Sequence, residues 1–198
     1  MTNVAIENQA SSRFPRQERG SDFPPATSLA SVADNLKKSF RTHPAGVAVI
    51  TADPGDGPVG LTATSVSSVC MDPPTIALSL SAFSSSTPGI RAADHVVVHL
   101  LSKDQLDIAQ LFATSGVNRF ADTSKWDRLP TGEPYLLNTQ VWMRGKITGT
   151  IEINGSTLAA IEIVESHCSD NQERVPLVYC NRSWHQLSET STVKEAEK

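Results

Sequence analysis

Two periods of apolar residues run along the chain. Leu29, Val32, Ala33, Leu36 and Phe40 recur at helical spacing behind Ser31-Val32-Ala33-Asp34, a capping-box pattern, and predict a helix ending near His43-Pro44. Val47-Ala48-Val49-Ile50-Thr51 is a short β-type run, closed by the turn chemistry of Asp53-Pro54-Gly55-Asp56-Gly57-Pro58. Further runs at Thr75 to Leu80, Val96 to Leu101, Val141 to Ile153 and Leu158 to Val164, mostly bounded by Gly, Asn, Asp or Pro, predict strands. In the third of these, Ile147, Gly149, Ile151 and Ile153 interleave with Thr148, Thr150 and Glu152, which predicts one face inward and one outward. Ser102-Lys103-Asp104-Gln105 is placed to cap a helix whose Leu106, Ile108, Ala109, Leu111, Phe112 and Ala113 form its apolar face. Strands outnumber helices, and neither a βαβ rhythm nor a G-x-G-x-x-G is present. The pattern predicts a mainly β fold with a few helices, a barrel closed on itself rather than a doubly wound sheet.

The chain of 198 residues suits one domain, expected over residues 28–188. Residues 1–27, a mixture of Asn, Gln, Ser, Arg and Pro without period, read as a disordered arm, and residues 189–198 as a charged tail. With 39% hydrophobic and 19% charged residues, the chain has a globular balance. No apolar run approaches the roughly 20 residues of a membrane span, and Met1 to Gly20 lacks the apolar core of a secretory signal, so the expected location is cytoplasmic. Cys70, Cys168 and Cys180 lack C-x-x-C pairing and are expected as free thiols. The histidines lack metal-ligand spacing, so no metal is assigned. A formal charge of −4 offers no broad cationic field for nucleic acid.

The densest unusual segment is Gly60-Leu61-Thr62-Ala63-Thr64-Ser65-Val66-Ser67-Ser68-Val69, followed by Met71-Asp72-Pro73-Pro74. It is either a strand with an exposed hydroxyl face or a polar edge for a planar ring. An extended backbone with short hydroxyls can meet alternating ring donors and acceptors, and fixed donors there would stabilise charge on a reduced flavin. Ser84-Ser85-Ser86-Thr87-Pro88 resembles a helix start, where free N–H groups can bind a phosphate, although a serine run also serves as a plain capped loop. Arg119-Phe120 adds a cation and a ring. The loop of Asp122, Lys125, Trp126 and Asp127 reads as a surface lid or dimer contact, and Cys70 as a small apolar filler.

In joint order, His43-Pro44-Ala45-Gly46-Val47, Gly60 to Val69, Asp72-Pro73-Pro74, Ser84 to Ser86, Gln110-Leu111-Phe112-Ala113, Arg119-Phe120 and Pro176-Leu177-Val178-Tyr179 resemble the short-chain flavin reductases of two-component monooxygenases, over about residues 36–187. The resemblance implies a split β-barrel homodimer that binds FMN or FAD, reduces it with NADH or NADPH, and releases reduced flavin to a partner monooxygenase. Carried over by position, Thr62, Ala63, Thr64, Ser65, Val66 and Ser67 would line the ring and ribityl chain. Ser84, Ser85 and Ser86 would meet the phosphate with Arg119 nearby, and Phe120 would pack on the flavin or the partner subunit. Where the family has Gly-Asp-His beside the nicotinamide, this chain has Asn154-Gly155-Ser156, and Trp184 stands for the usual C-terminal Tyr. Hydride transfer chiefly needs two stacked rings, so activity without that imidazole is compatible with the chemistry. The missing histidine favours a rival reading, a flavin carrier or prosthetic-group protein without NADH turnover; a third reading is a different split-barrel oxidase or oxygenase acting on an organic substrate.

Overall fold

The computed structural model describes residues 28–169 and 174–193, so the expected arm over 1–27 and the end of the expected tail lie outside the described residues. The chain divides into two units, Met1–Ser39 and Phe40–Lys198. Helix α1 (Leu29–Arg41) spans the division and has no buried residue. It begins three residues before the position that the Ser31 pattern predicts, because the Ser28 hydroxyl accepts the Ser31 N–H at 3.3 Å and is the actual N-cap.

The second unit is mainly antiparallel sheet. Its strands are β1 (Ala45–Gly46), β2 (Ala48–Ala52), β3 (Val59–Ala63), β4 (Ser67–Met71), β5 (Pro74–Ser81), β6 (His95–Leu100), β7 (Trp126–Arg128), β8 (Pro134–Leu136), β9 (Val141–Ile153), β10 (Ser156–Cys168), β11 (Leu177–Cys180) and β12 (Ser183–Gln186). Helices α2 (Thr87–Ala92) and α3 (Leu106–Ala113) complete it, with single 3-10 turns at Lys103–Gln105 and, inside the expected tail, Glu189–Ser191. Ser102 and Gln105 form the expected capping box ahead of α3. Seven strands pair in the order β3-β2-β6-β9-β10-β5-β4, and β1-β11-β12 and β7-β8 form two small sheets. Among the described residues, no helix is long and apolar enough to cross a membrane.

The expected closed barrel is in fact split. The outermost strands, β3 and β4, share no ladder, yet they are consecutive in the chain and only Thr64, Ser65 and Val66 lie between them. Three residues span at most about 14 Å between the strand ends, so the sheet must curl until its two edges nearly meet. The stretch from Gly60 to Val69 is therefore two strands and a crossing.

Strand β2 is buried along its whole length because both faces are covered. Ala48, Ile50 and Ala52 point into the curled sheet against Leu78, Val96, Val98 and Ile161, whereas Val47 and Val49 point outward into a second cluster with Leu101, Ile108, Phe112, Phe120 and Leu136. His99 pins this second layer. Its Nε2 accepts the Leu136 N–H at 3.0 Å, which leaves Nδ1 as the donor to the Val49 carbonyl at 3.0 Å. Burial pushes the imidazole down to about 4, and the neutral ring joins β6, β2 and β8.

The long β9-β10 hairpin turns at Asn154 (φ 48°) and Gly155 (φ 82°), the left-handed pair that an Asn-Gly turn accommodates. The predicted inward row of Ile147, Gly149, Ile151 and Ile153 is not realised. Ile161 pairs with Ile147 but Ala160 with Gly149, so Thr148 is an extra residue and the strand changes face there. Ile147 packs on the core, while Ile151 and Ile153 are 60% and 52% exposed.

A neutral buried imidazole gives a pH prediction with a definite sign. Below its ordinary value of 6.5 the unfolded chain binds a proton that folded His99 does not take up until about pH 4. Stability from this residue is therefore complete above pH 6.5 and falls by about 3 kcal/mol on going down to pH 4. Urea unfolding of wild type and His99→Gln across that range will show a steeper loss in the wild type; parallel curves would remove His99 as the cause.

Candidate functional site

A polar cavity of about 410 Å³ lies where the crossing leaves β3. One wall is Leu61 to Ser65, another is Ser79, Ser81, Phe83 and Ser84, and the third is the end of α3 with Ser115 and Arg119. The sheet's incompleteness creates the wall: among the described residues, no backbone hydrogen bond outside the strand ladders involves Thr64, Ser65 or Val66. Their amides and carbonyls are open to a ligand, which is the property an edge-on ring requires.

Side chains fix the crossing instead. Ser65 Oγ donates to the Ser79 carbonyl at 2.9 Å and accepts the Ser79 N–H at 3.2 Å, tying the crossing to β5. Thr62 Oγ1 donates to the Ala109 carbonyl at 2.7 Å and ties β3 to α3. These two hydroxyls brace the wall. The Thr64 hydroxyl is exposed and has no protein partner among the described residues, so it is the hydroxyl left for a ligand. Gly60 permits the tight wall, since a Cβ there would sit 2.7 Å from the Phe112 ring and 2.9 Å from the Ile50 carbonyl oxygen.

Arg119 contributes the charge. Its Nη1 donates to the Gly60 carbonyl at 2.9 Å and to Ser86 Oγ at 2.6 Å, and its Nη2 donates to the Thr114 carbonyl at 2.8 Å. Nε is buried without a hydrogen-bond partner, and no carboxylate pairs with the guanidinium among the described residues. Burial lowers its pKa, but an arginine remains charged. An uncompensated cation beside the hydroxyls of Ser84, whose Oγ accepts the Ser86 N–H at 3.4 Å, and Ser115 fits a phosphate, and the unladdered crossing fits the polar edge of a flavin.

The polar cluster across the molecule is the opposite case. Arg128 pairs with Asp53 and Arg144 with Glu133, each at 2.6 Å. Burial alone would raise the Glu133 carboxyl, but hydrogen bonds from Arg144 and Thr131 and the backbone bring it down to about 2. Its charges are balanced, and it braces β6, β8 and β9. Among the described residues, no three His, Cys, Asp or Glu side chains are grouped to hold a metal.

Of the positions expected from the sequence, Thr62, Ala63, Thr64, Ser65, Ser84 and Arg119 line the cavity together. Val66 does not, because the chain turns at the crossing and its side chain packs on the interior cluster. Ser67 follows it into β4, paired with Ala77. Ser85 is exposed outside the cavity lining, and Ser86 is 4% exposed, its hydroxyl held by Gly60 and Arg119 rather than offered to a ligand. Phe120 is a core residue, edge-on to Phe112 and Trp126 with centroids 5.3 and 5.1 Å away, and half-buried Trp126 packs on the second cluster with it. Trp184 packs on Tyr179 in the small sheet. Ser156 is opposite Ser81, one strand from the cavity wall. Phe83, fully exposed at the rim, was not read from the sequence; an aromatic directly ahead of a serine run was its only signal.

Residues 40–188 match the model of the flavin reductase like domain. Curated relatives named NADH:FMN oxidoreductase, from Rhodococcus qingshengii and Rhodococcus erythropolis, are each 42% identical over 157 residues, covering 78% of this chain and 82% of theirs. The reductase component of a 4-nitrophenol 4-monooxygenase/4-nitrocatechol 2-monooxygenase from Rhodococcus opacus is 28% identical over 134 residues, 68% of this chain and 70% of its own. A flavin reductase domain protein from Arthrobacter sp. FB24 superposes with a TM-score of 0.74 at 33% identity, covering 79% of this chain and 96% of that one.

Proposed function

The chain belongs to the flavin reductase like domain family, and we infer from its site that it is an NADH:FMN oxidoreductase. The observation that carries this reading is the open crossing facing an uncompensated arginine across one cavity. Bound FMN supplies the hydride acceptor, with the balance NADH + H⁺ + FMN giving NAD⁺ + FMNH₂. Thr64 and the crossing's backbone N–H groups orient the ring's polar edge and stabilise the negative charge that reduction brings there. Arg119 and Ser84 hold the phosphate. The nicotinamide side is the face beyond Ser81, where Ser156 and Ile153 lie in register across β10 and β9. No proton carrier is needed at Ser156, because alignment of two rings supplies the rate.

The same outer face places Ile151 opposite Leu158, which is itself opposite Ser79 of the cavity wall. This exposed apolar strip, continuous with the flavin site, supports a homodimer in which a second subunit covers it. Reduced flavin then leaves for a separate oxygenase; the Rhodococcus opacus relative is named as the reductase component of a monooxygenase. NADH as reductant accords with a cytoplasmic location.

Purified protein should oxidise NADH only when FMN is added, and Arg119→Ala should raise the Kd for FMN about tenfold to a hundredfold more than that for riboflavin, since only FMN carries the phosphate. Flavin binding without NADH oxidation would favour the carrier, and equal losses for both flavins would leave Arg119 a purely structural brace. Light scattering at micromolar concentration should give about twice the 21.3 kDa subunit mass. A monomeric mass together with full activity would reject the dimer.

A further inference from the structure

A second cavity, of about 530 Å³, opens on the other side of the crossing. Its walls include Val66, Ile76, Met143 and Ile163, side chains of the interior cluster at the mouth of the curled sheet. The volume is that of a small-molecule site, within the usual range of about 300–1,000 Å³. Thr64 and Ser65 face the flavin cavity and Val66 faces this one, so the three-residue crossing separates them.

One charged side chain enters the apolar wall. Arg174 Nη2 donates to the Leu100 carbonyl at 2.8 Å, but its Nε is buried with no hydrogen-bond partner. No carboxylate pairs with it among the described residues, in contrast to Arg128 and Arg144. The guanidinium is half-buried with Nη2 committed to a carbonyl and no carboxylate partner among the described residues, so a negative acceptor at its terminal N–H groups satisfies hydrogen bonding and charge together. Cavity walls of Met, Ile and Val call for an apolar body on that anion.

We propose that this cavity binds a small amphipathic anion, a single carboxylate or sulfonate on an apolar body, with the head at Arg174 and the body between Met143 and Ile163. The site is separate from the flavin pocket and requires no turnover of NADH, so its failure and that of the reductase reading are distinguishable.

The probe is 8-anilinonaphthalene-1-sulfonate, with neutral N-phenyl-1-naphthylamine as control, titrated into the full chain saturated with FMN and followed by fluorescence. One sulfonate dye should bind per subunit without displacing FMN. Arg174→Met should weaken the sulfonate dye about tenfold, the loss of one charge-assisted contact, while leaving the neutral dye and FMN within about twofold. Arg174→Lys should restore most of the difference, and Met143→Trp, which fills the cavity, should weaken both dyes but not FMN. Displacement of the dye by FMN, equal loss of both dyes in Arg174→Met, or no effect of either Arg174→Met or Met143→Trp would overturn the proposal.

Discussion

The structure depends on one constraint: three residues must carry the chain from one edge of a seven-stranded sheet to the other. A sheet whose first and last strands are consecutive in sequence cannot remain open and flat, yet no ladder joins β3 to β4. Closure therefore stops at a seam. Backbone groups that a full barrel would pair are instead presented along the seam, in front of a polar cavity.

The surrounding side chains hold that seam in place. Ser65 substitutes a hydroxyl for a missing ladder rung on β5, Thr62 anchors β3 to α3, and Arg119 gathers the Gly60 carbonyl, Ser86 and the Thr114 carbonyl. Arg119 is thus both a brace and the cavity's charge. Phe112 packs against Gly60 from outside and against Phe120 in the second core, so the layer pinned by His99 supports the same wall. Preorganisation of this kind costs nothing further when charge develops on a bound ring.

Much of this was legible because it rests on local chemistry. Apolar runs located β2, β5, β6 and β9, Asn154-Gly155 located the hairpin, and Ser102 with Gln105 located the start of α3. The hydroxyl-rich stretch and Arg119 mark the cavity from sequence alone. What was not legible depends on pairing between distant residues. The bulge at Thr148 reverses the face of Ile151 and Ile153 through the register with Ala160 and Ile161, which periodicity along one strand does not reveal. The serine run behaves likewise: Ser84 reaches the cavity and Ser86 turns inward because Gly60, 26 positions away, offers it a carbonyl. The resemblance places the Phe120 ring on the flavin or the partner subunit, whereas Phe112 and Trp126 claim it.

The central claim is that the unladdered backbone of Thr64 and Ser65 is the edge that receives flavin. Residue-resolved amide hydrogen exchange at residues 64 and 65, with and without FMN, tests it most directly. The account predicts fast exchange in the free protein and slowing by about tenfold or more when FMN is bound, since these amides gain acceptors only from the ligand. Exchange already slow in the free protein, or unchanged at saturating FMN, would contradict it.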